Sequence, residues 1–217
     1  MVSGSGVNIQ SIVPIAPEGE EASLCFQLQT MTSGGATHMT YIYMNDQDAK
    51  DNSGDENATA GWYNEDMDTR VDVTFDSGEA FIIFSDFAEG ATVQSAGQVV
   101  TGKQTIPLRA NANLIGNNRP VELNIQDVTP VAPEGEEASL CFQLQTMTSG
   151  GATDKTYIYM NDQDAKDNSG DENAIAGWYN EDMDTRVDVT FSAGAGFILF
   201  SDFASDSSVT LPKLSLQ

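Results

Sequence analysis

Histidine is almost missing from this sequence, which holds one, His38, in 217 residues. A single imidazole leaves no basis for Ser-His or Cys-His nucleophilic machinery, nor for a zinc site of the Cys/His type. Cysteine is nearly as scarce. Cys25 and Cys141 are too few and too far apart to frame a disulfide scaffold. Basic residues number nine against 33 acidic ones, so the net charge is −24 and the isoelectric point about 4.1. Such a field repels nucleic acid and anionic membrane, attracts cations and cationic partners, and strains a compact state by self-repulsion. No apolar run approaches the roughly 20 residues that a membrane-spanning helix needs. No glycine-rich phosphate loop opens a helix, and no segment carries a sustained 3.6-residue apolar stripe. The start, Met1-Val2-Ser3-Gly4-Ser5-Gly6, matches neither a signal nor a transit peptide and reads as a linker.

What the chain does have is itself, twice. Ala16–Phe75 aligns with Ala132–Phe191 at an offset of 116, and sixty positions differ at three: His38/Asp154, Met39/Lys155 and Thr59/Ile175. The only histidine is therefore not shared by the copies. Weaker matching runs upstream (Val7-Asn8-Ile9-Gln10 against Leu123-Asn124-Ile125-Gln126) and downstream (Phe81-Ile82-Ile83-Phe84 against Phe197-Ile198-Leu199-Phe200). The segment Ser95–Pro120 occurs once. The expected organisation is a first module over 1–94, a strand-forming linking segment over 95–120 shared between the modules, and a second module over 121–217. In that arrangement both ends of the chain carry unfilled strand edges.

The hydrophobic period is two. Leu24, Phe26 and Leu28 fall on one face of their run, opposite Ser23, Cys25, Gln27 and Gln29; Val71, Val73 and Phe75 alternate likewise. Tyr41-Ile42-Tyr43-Met44 and Phe81-Ile82-Ile83-Phe84 are apolar on both faces, the mark of strands covered on two sides. Turn residues punctuate the runs at Pro17-Glu18-Gly19, Ser33-Gly34-Gly35, Asn52-Ser53-Gly54-Asp55, Asp76-Ser77-Gly78 and Gly116-Asn117-Asn118. The pattern predicts an all-β protein of two tandem sandwich or barrel-like modules with no substantial helix.

Gly78-Glu79-Ala80-Phe81-Ile82-Ile83-Phe84, followed by Pro107-Leu108-Arg109-Ala110 and Asn113-Leu114-Ile115-Gly116-Asn117, resembles a pattern of uncharacterised bacterial secreted proteins. In those, "GEGF" strands precede "G-x-N-L-I-G-N-P" strands. Here the second copy reads Gly194-Ala195-Gly196-Phe197, and no proline directly follows Asn117. The resemblance implies an exported, surface-associated tandem module with no assigned reaction.

Two constellations carry candidate chemistry. The acidic stretch Asn45–Glu56, repeated at Asn161–Glu172, offers Asp46, Asp48, Asp51, Asp55 and Glu56, and in the second copy Asp162, Asp164, Asp167, Asp171 and Glu172. Calcium takes six to eight oxygens, which a loop dense in Asp, Asn and Ser supplies. The spacing departs from the EF-hand, with Lys50 where an oxygen belongs. A solvated hairpin loop that suppresses aggregation by charge explains the same residues. The acidic run Asn64–Asp68 stands ready to complete such a site. Trp62, Tyr63, Trp178 and Tyr179 form the second constellation, an aromatic platform suited to stacking on sugar rings, with ordinary core packing as the alternative. Paired carboxylates in exposed, turn-like sequence lack the apolar setting that glycoside hydrolysis requires. Cys25 reads either as a small buried residue or as an exposed thiol.

The expectation is a non-catalytic extracellular or cell-surface structural module: a fibre, stalk, adhesin or layer subunit. It would self-associate through edge strands, with Val7–Val13 or Ser208–Leu216 completing a neighbour's sheet, and draw stability from calcium. A carbohydrate-binding module is the alternative. The termini are expected to be held by a neighbouring chain.

Overall fold

The computed structural model describes residues 6–32, 36–76, 79–95, 101–117, 120–148 and 150–214. It is all-β. The strands are β1 (Val7–Asn8), β2 (Ile12–Ile15), β3 (Phe26–Met31), β4 (Thr37–Met44), β5 (Gly61–Asn64), β6 (Thr74–Phe75), β7 (Ile82–Ser85), β8 (Thr92–Ser95) and β9 (Gln104–Pro107). They continue with β10 (Asn111–Gly116), β11 (Leu123–Asn124), β12 (Thr129–Val131), β13 (Phe142–Met147), β14 (Thr153–Met160), β15 (Gly177–Asn180), β16 (Thr190–Phe191), β17 (Gly196–Ser201) and β18 (Ser208–Leu211). Two short helices, α1 (Asp46–Ser53) and α2 (Asp162–Ser169), interrupt them. Among the described residues, no helix is long and apolar enough to cross a membrane. The chain divides into two compact units, the first carrying β1 to β8 and the second β9 to β18.

In the second unit a five-stranded antiparallel sheet, β10-β17-β13-β14-β15, and a three-stranded sheet, β12-β18-β9, share one core. Ile106, Val209 and Leu211 come from the smaller sheet. Phe142, Leu144, Tyr157, Trp178, Phe197 and Leu199 come from the larger. The first unit repeats the plan with fewer strands. Its sheet is β5-β4-β3-β7, and among the described residues β2 pairs with β8 alone.

Of the segment 95–120, expected to be shared between the modules, Ser95 ends β8 and pairs with Ile12 of the first unit, while the strands β9 and β10 pair within the second unit, β9 with β18 and β10 with β17. The chain crosses from one sheet to the other at Leu108–Ala110. There Asn113 accepts from the Arg109 amide at 2.8 Å and donates to the carbonyls of Arg109, Asn111 and Leu199. Of the two ends expected to carry unfilled edges, the C-terminal one is engaged on both sides among the described residues, whereas the N-terminal strands have one partner each. Strand β18 lies between β12 and β9, so Ser208–Leu211 is already used inside its own sheet, and β1 and β2 are paired to β6 and β8. The expectation for the start of the chain falls on residues 1–5, outside the described residues, as do Ser33-Gly34-Gly35, Ser77-Gly78 and Asn118.

Two further differences concern local structure. The acidic stretch forms a helix rather than an open loop. Asn45 caps it by accepting from the Asp48 amide at 2.7 Å, Asp46 and Asp48 occupy the positive first turn, and Gly54 closes it at φ 72°. Leu24 does not join Phe26 and Leu28 in the core. It precedes β3 in the left-handed region at φ 61°, exposed, donating its N–H to the Tyr43 carbonyl.

The helices explain why β4 and β5 are apolar on both faces. Tyr41 and Trp62 enter the main core, while Met44 and Tyr63 pack beneath α1 around Ala49. Strand β5 is held from its far side by a glutamine. The Gln10 side chain donates to the carbonyls of Trp62 (2.9 Å) and Val71 (2.7 Å) and accepts from the Trp62 amide (3.1 Å). Gln126 does the same for Trp178 and Val187. Gly61, at φ 152°, makes room for that amide: a Cβ there would lie 2.2 Å from the Gln10 Oε1. Replacing Gln10 or Gln126 by Ala strips partners from partly buried backbone groups. Each substitution is expected to cost about 2–4 kcal/mol by urea denaturation.

Candidate functional site

The carboxylates of the acidic stretch are not brought to one point. Residues two apart on a helix face away from each other, so Asp46 and Asp48 diverge. Asp46 accepts from the Ala60 amide at 2.6 Å, Asp51 from the Gln47 side chain at 2.9 Å, and Asp55 from the Asn57 amide at 2.9 Å. Glu56 lies exposed in the following turn. The second copy repeats this, with Asp162 on Ala176, Asp167 on Gln163 and Asp171 on Asn173, while Asp164 is in the first turn of α2 and Glu172 in the exposed turn. Among the described residues, no three His, Cys, Asp or Glu side chains form a group that could hold a metal ion. Asp46 and Asp55, with Asp162 and Asp171 in the second copy, tie local backbone. The neighbouring run does likewise: Asp68 accepts from Asn64 and Thr69, which holds its carboxyl below the usual range, and Asp184 matches it.

The aromatic platform is a core feature, which corrects the sugar-stacking expectation. Trp62 and Trp178 are fully buried, their indole N–H groups donating to the Ile12 and Val128 carbonyls at 2.7 Å. Tyr43 and Tyr159 meet their rings edge-on at 5.5 and 5.4 Å. Tyr63 and Tyr179 lie under the helices and donate to the carbonyls of Thr59 and Ile175 at 2.8 Å. Trp62, Tyr63, Trp178 and Tyr179 therefore present no exposed face. Cys25 and Cys141 are half-buried, and burial first, then nearby carboxylates led by Asp86 and Asp202, pushes both thiols up.

What distinguishes the molecule is a pair of strand edges in the first unit. In the second unit β18 is flanked on both sides and β17 lies between β13 and β10. In the first, among the described residues, β8 has only β2 and β7 has only β3. The same positions respond in burial. Val209 is fully buried but Val93 is 38% exposed; Phe197 and Leu199 are fully buried, whereas Phe81 and Ile83 are half-buried. Ser201 is buried and Ser85 exposed.

These edges are also unprotected. The outer strands of the second unit's smaller sheet each carry a proline, Pro130 in β12 and Pro107 in β9, which denies an incoming strand an N–H. Strand β8 (Thr-Val-Gln-Ser) and strand β7 (Ile-Ile-Phe-Ser) hold neither proline nor charge. Sequence reasoning did not single out these eight residues. The signals were there: a segment that occurs once, and strand-like runs without edge prolines. No family model, curated protein or solved structure matches this chain.

Open edges predict uneven protection. Amides of 82–85 and 92–95 should exchange with deuterium at least about tenfold faster than those of 198–201 and 208–211. The dispersed carboxylates predict a counterion effect without cation selectivity. Melting temperatures should rise with salt and be equal in calcium and magnesium chloride at matched ionic strength.

Proposed function

We propose that this chain is a non-catalytic structural module that assembles through the open strand edges of its first unit. The supporting observation is the contrast at β7 and β8, where one sequence plan is closed in one unit and left open in the other. An unpaired strand presents a row of N–H and C=O groups that another chain satisfies by adding a strand. The lone histidine, not shared between the copies, and the dispersal of the carboxylates favour a structural over a catalytic role. The resemblance to secreted bacterial proteins favours a cell-surface or extracellular setting. Against association stands the charge, since like-charged chains repel; salt therefore belongs to the mechanism.

Antiparallel alternation identifies the group that matters. In the second unit the Leu108 amide donates to the Ser207 carbonyl, so the hydrogen-bonding phase toward β9 falls on 207 and 209. The matching positions are Ala91 and Val93. Pro14, opposite Val93, agrees, because an edge proline keeps its nitrogen away from the ladder. Val93→Pro removes the outward N–H while retaining an apolar side chain. In 0.3 M salt the wild-type chain should form oligomers that grow with concentration by light scattering and electron microscopy. The Val93→Pro chain, with unchanged far-ultraviolet dichroism, should stay monomeric. A wild-type monomer at every concentration overturns the reading.

A further inference from the structure

We infer that the open edge of the first unit is a receptor for a two-stranded polypeptide arch with the sequence pattern of Gln104–Gly116. As a statement about biological partners this rests on the assembly reading above; as a statement about binding it stands on the second unit, which holds such an arch in the equivalent place. There Ile106 lies opposite Val209, Thr105 opposite Thr210, Ile115 opposite Phe197 and Asn113 opposite Leu199. Shifted by the repeat offset, the same residues fall opposite Val93, Gln94, Phe81 and Ile83 in the first unit.

Three features fit this occupant. The arch supplies Ile106, Leu108 and Ile115 to the core of its own unit, and the first unit's half-buried residues lie where those side chains would cover them. On the smaller sheet the arch ends in Pro107, which denies a further strand an N–H there, while on the larger sheet β10 becomes the outer strand. Charge agrees as well. Gln104–Gly116 carries Arg109 and no acidic residue, and the wider segment Ser95–Pro120 adds Lys103 and Arg119, in a chain whose net charge is −24. A segment of net positive charge drawn to an acidic acceptor binds faster than a neutral one. The partner is a polypeptide carrying a free segment of this pattern, since the arch of the second unit is already engaged by β17 and β18. A β-edge of unrelated chemistry lacks both the apolar pair and the charge.

The test uses the full chain and a fluorescein-labelled peptide, Thr101–Asn117. Anisotropy should saturate at one peptide per chain. Deuterium exchange should slow at 82–85 and 92–95, with 198–201 and 208–211 unchanged. A peptide carrying Ile106→Asp and Ile115→Asp should bind at least about tenfold more weakly. A second chain, in which residues 1–6 are replaced by a copy of residues 99–122, should protect 82–85 and 92–95 to the level of their counterparts. No saturation up to about 1 mM, equal binding by both peptides, protection appearing at 198–201, or no protection in the extended chain each overturns the inference. Peptide binding by a chain that stays monomeric removes the assembly reading alone. Self-association without peptide binding removes the inference alone.

Discussion

Every strand must give its second row of backbone hydrogen bonds to something, and the folded chain meets that demand unequally. Where β9 and β10 are present, they take up the outer groups of β18 and β17 and bring three apolar side chains with them. Where no counterpart is described, the same strands keep one free side, and the side chains above them stay half-buried. A strand's hydrogen bonds and its apolar cover arrive together. Closure of the ladder and completion of the core are thus one event in this fold.

The interior is tied by polar side chains that imitate backbone. Gln10 and Gln126 stand where a neighbouring strand would be, donating and accepting against β5 and β15. Asn45 and Asn161 cap the helices, and Asn113 and Asn117 hold the turns at either end of β10. Such amides satisfy groups that a short strand leaves open, which lets a sheet end without an exposed ladder. Where the edge is open, no comparable device is seen among the described residues.

Acidic charge and assembly pull against each other. Exposed carboxylates keep chains apart and soluble, while an open apolar edge draws them together. A segment that is cationic within an acidic chain reconciles the two, since it is attracted where other surfaces repel. Asp46 and Asp162 anchor the chain beyond their helices through the Ala60 and Ala176 amides as well as adding surface charge, which ties local folding to residues that set solubility.

Much of this was legible in the residues. Alternation of apolar positions specified strands because successive side chains on an extended backbone point to opposite faces, and the near-identical copies specified two bodies of one plan. The helices were harder to read, because two turns with one buried alanine produce no apolar stripe. Their signals were instead Asn45, Asp46 and Gly54. The aromatic cluster could not be told from a binding platform, since the same Trp-Tyr pair suits either face of a sheet until a helix covers one side and a second sheet the other. Ownership of the linking segment was equally hidden. Strand pairing is a non-local choice made by the register of hydrogen bonds and the fit of Ile106 and Ile115 into a core, and neither is written in the segment itself. Local pattern determined that there are strands; only the tertiary structure decided where some of them begin, as at Phe26 and Thr74, and which edges they close.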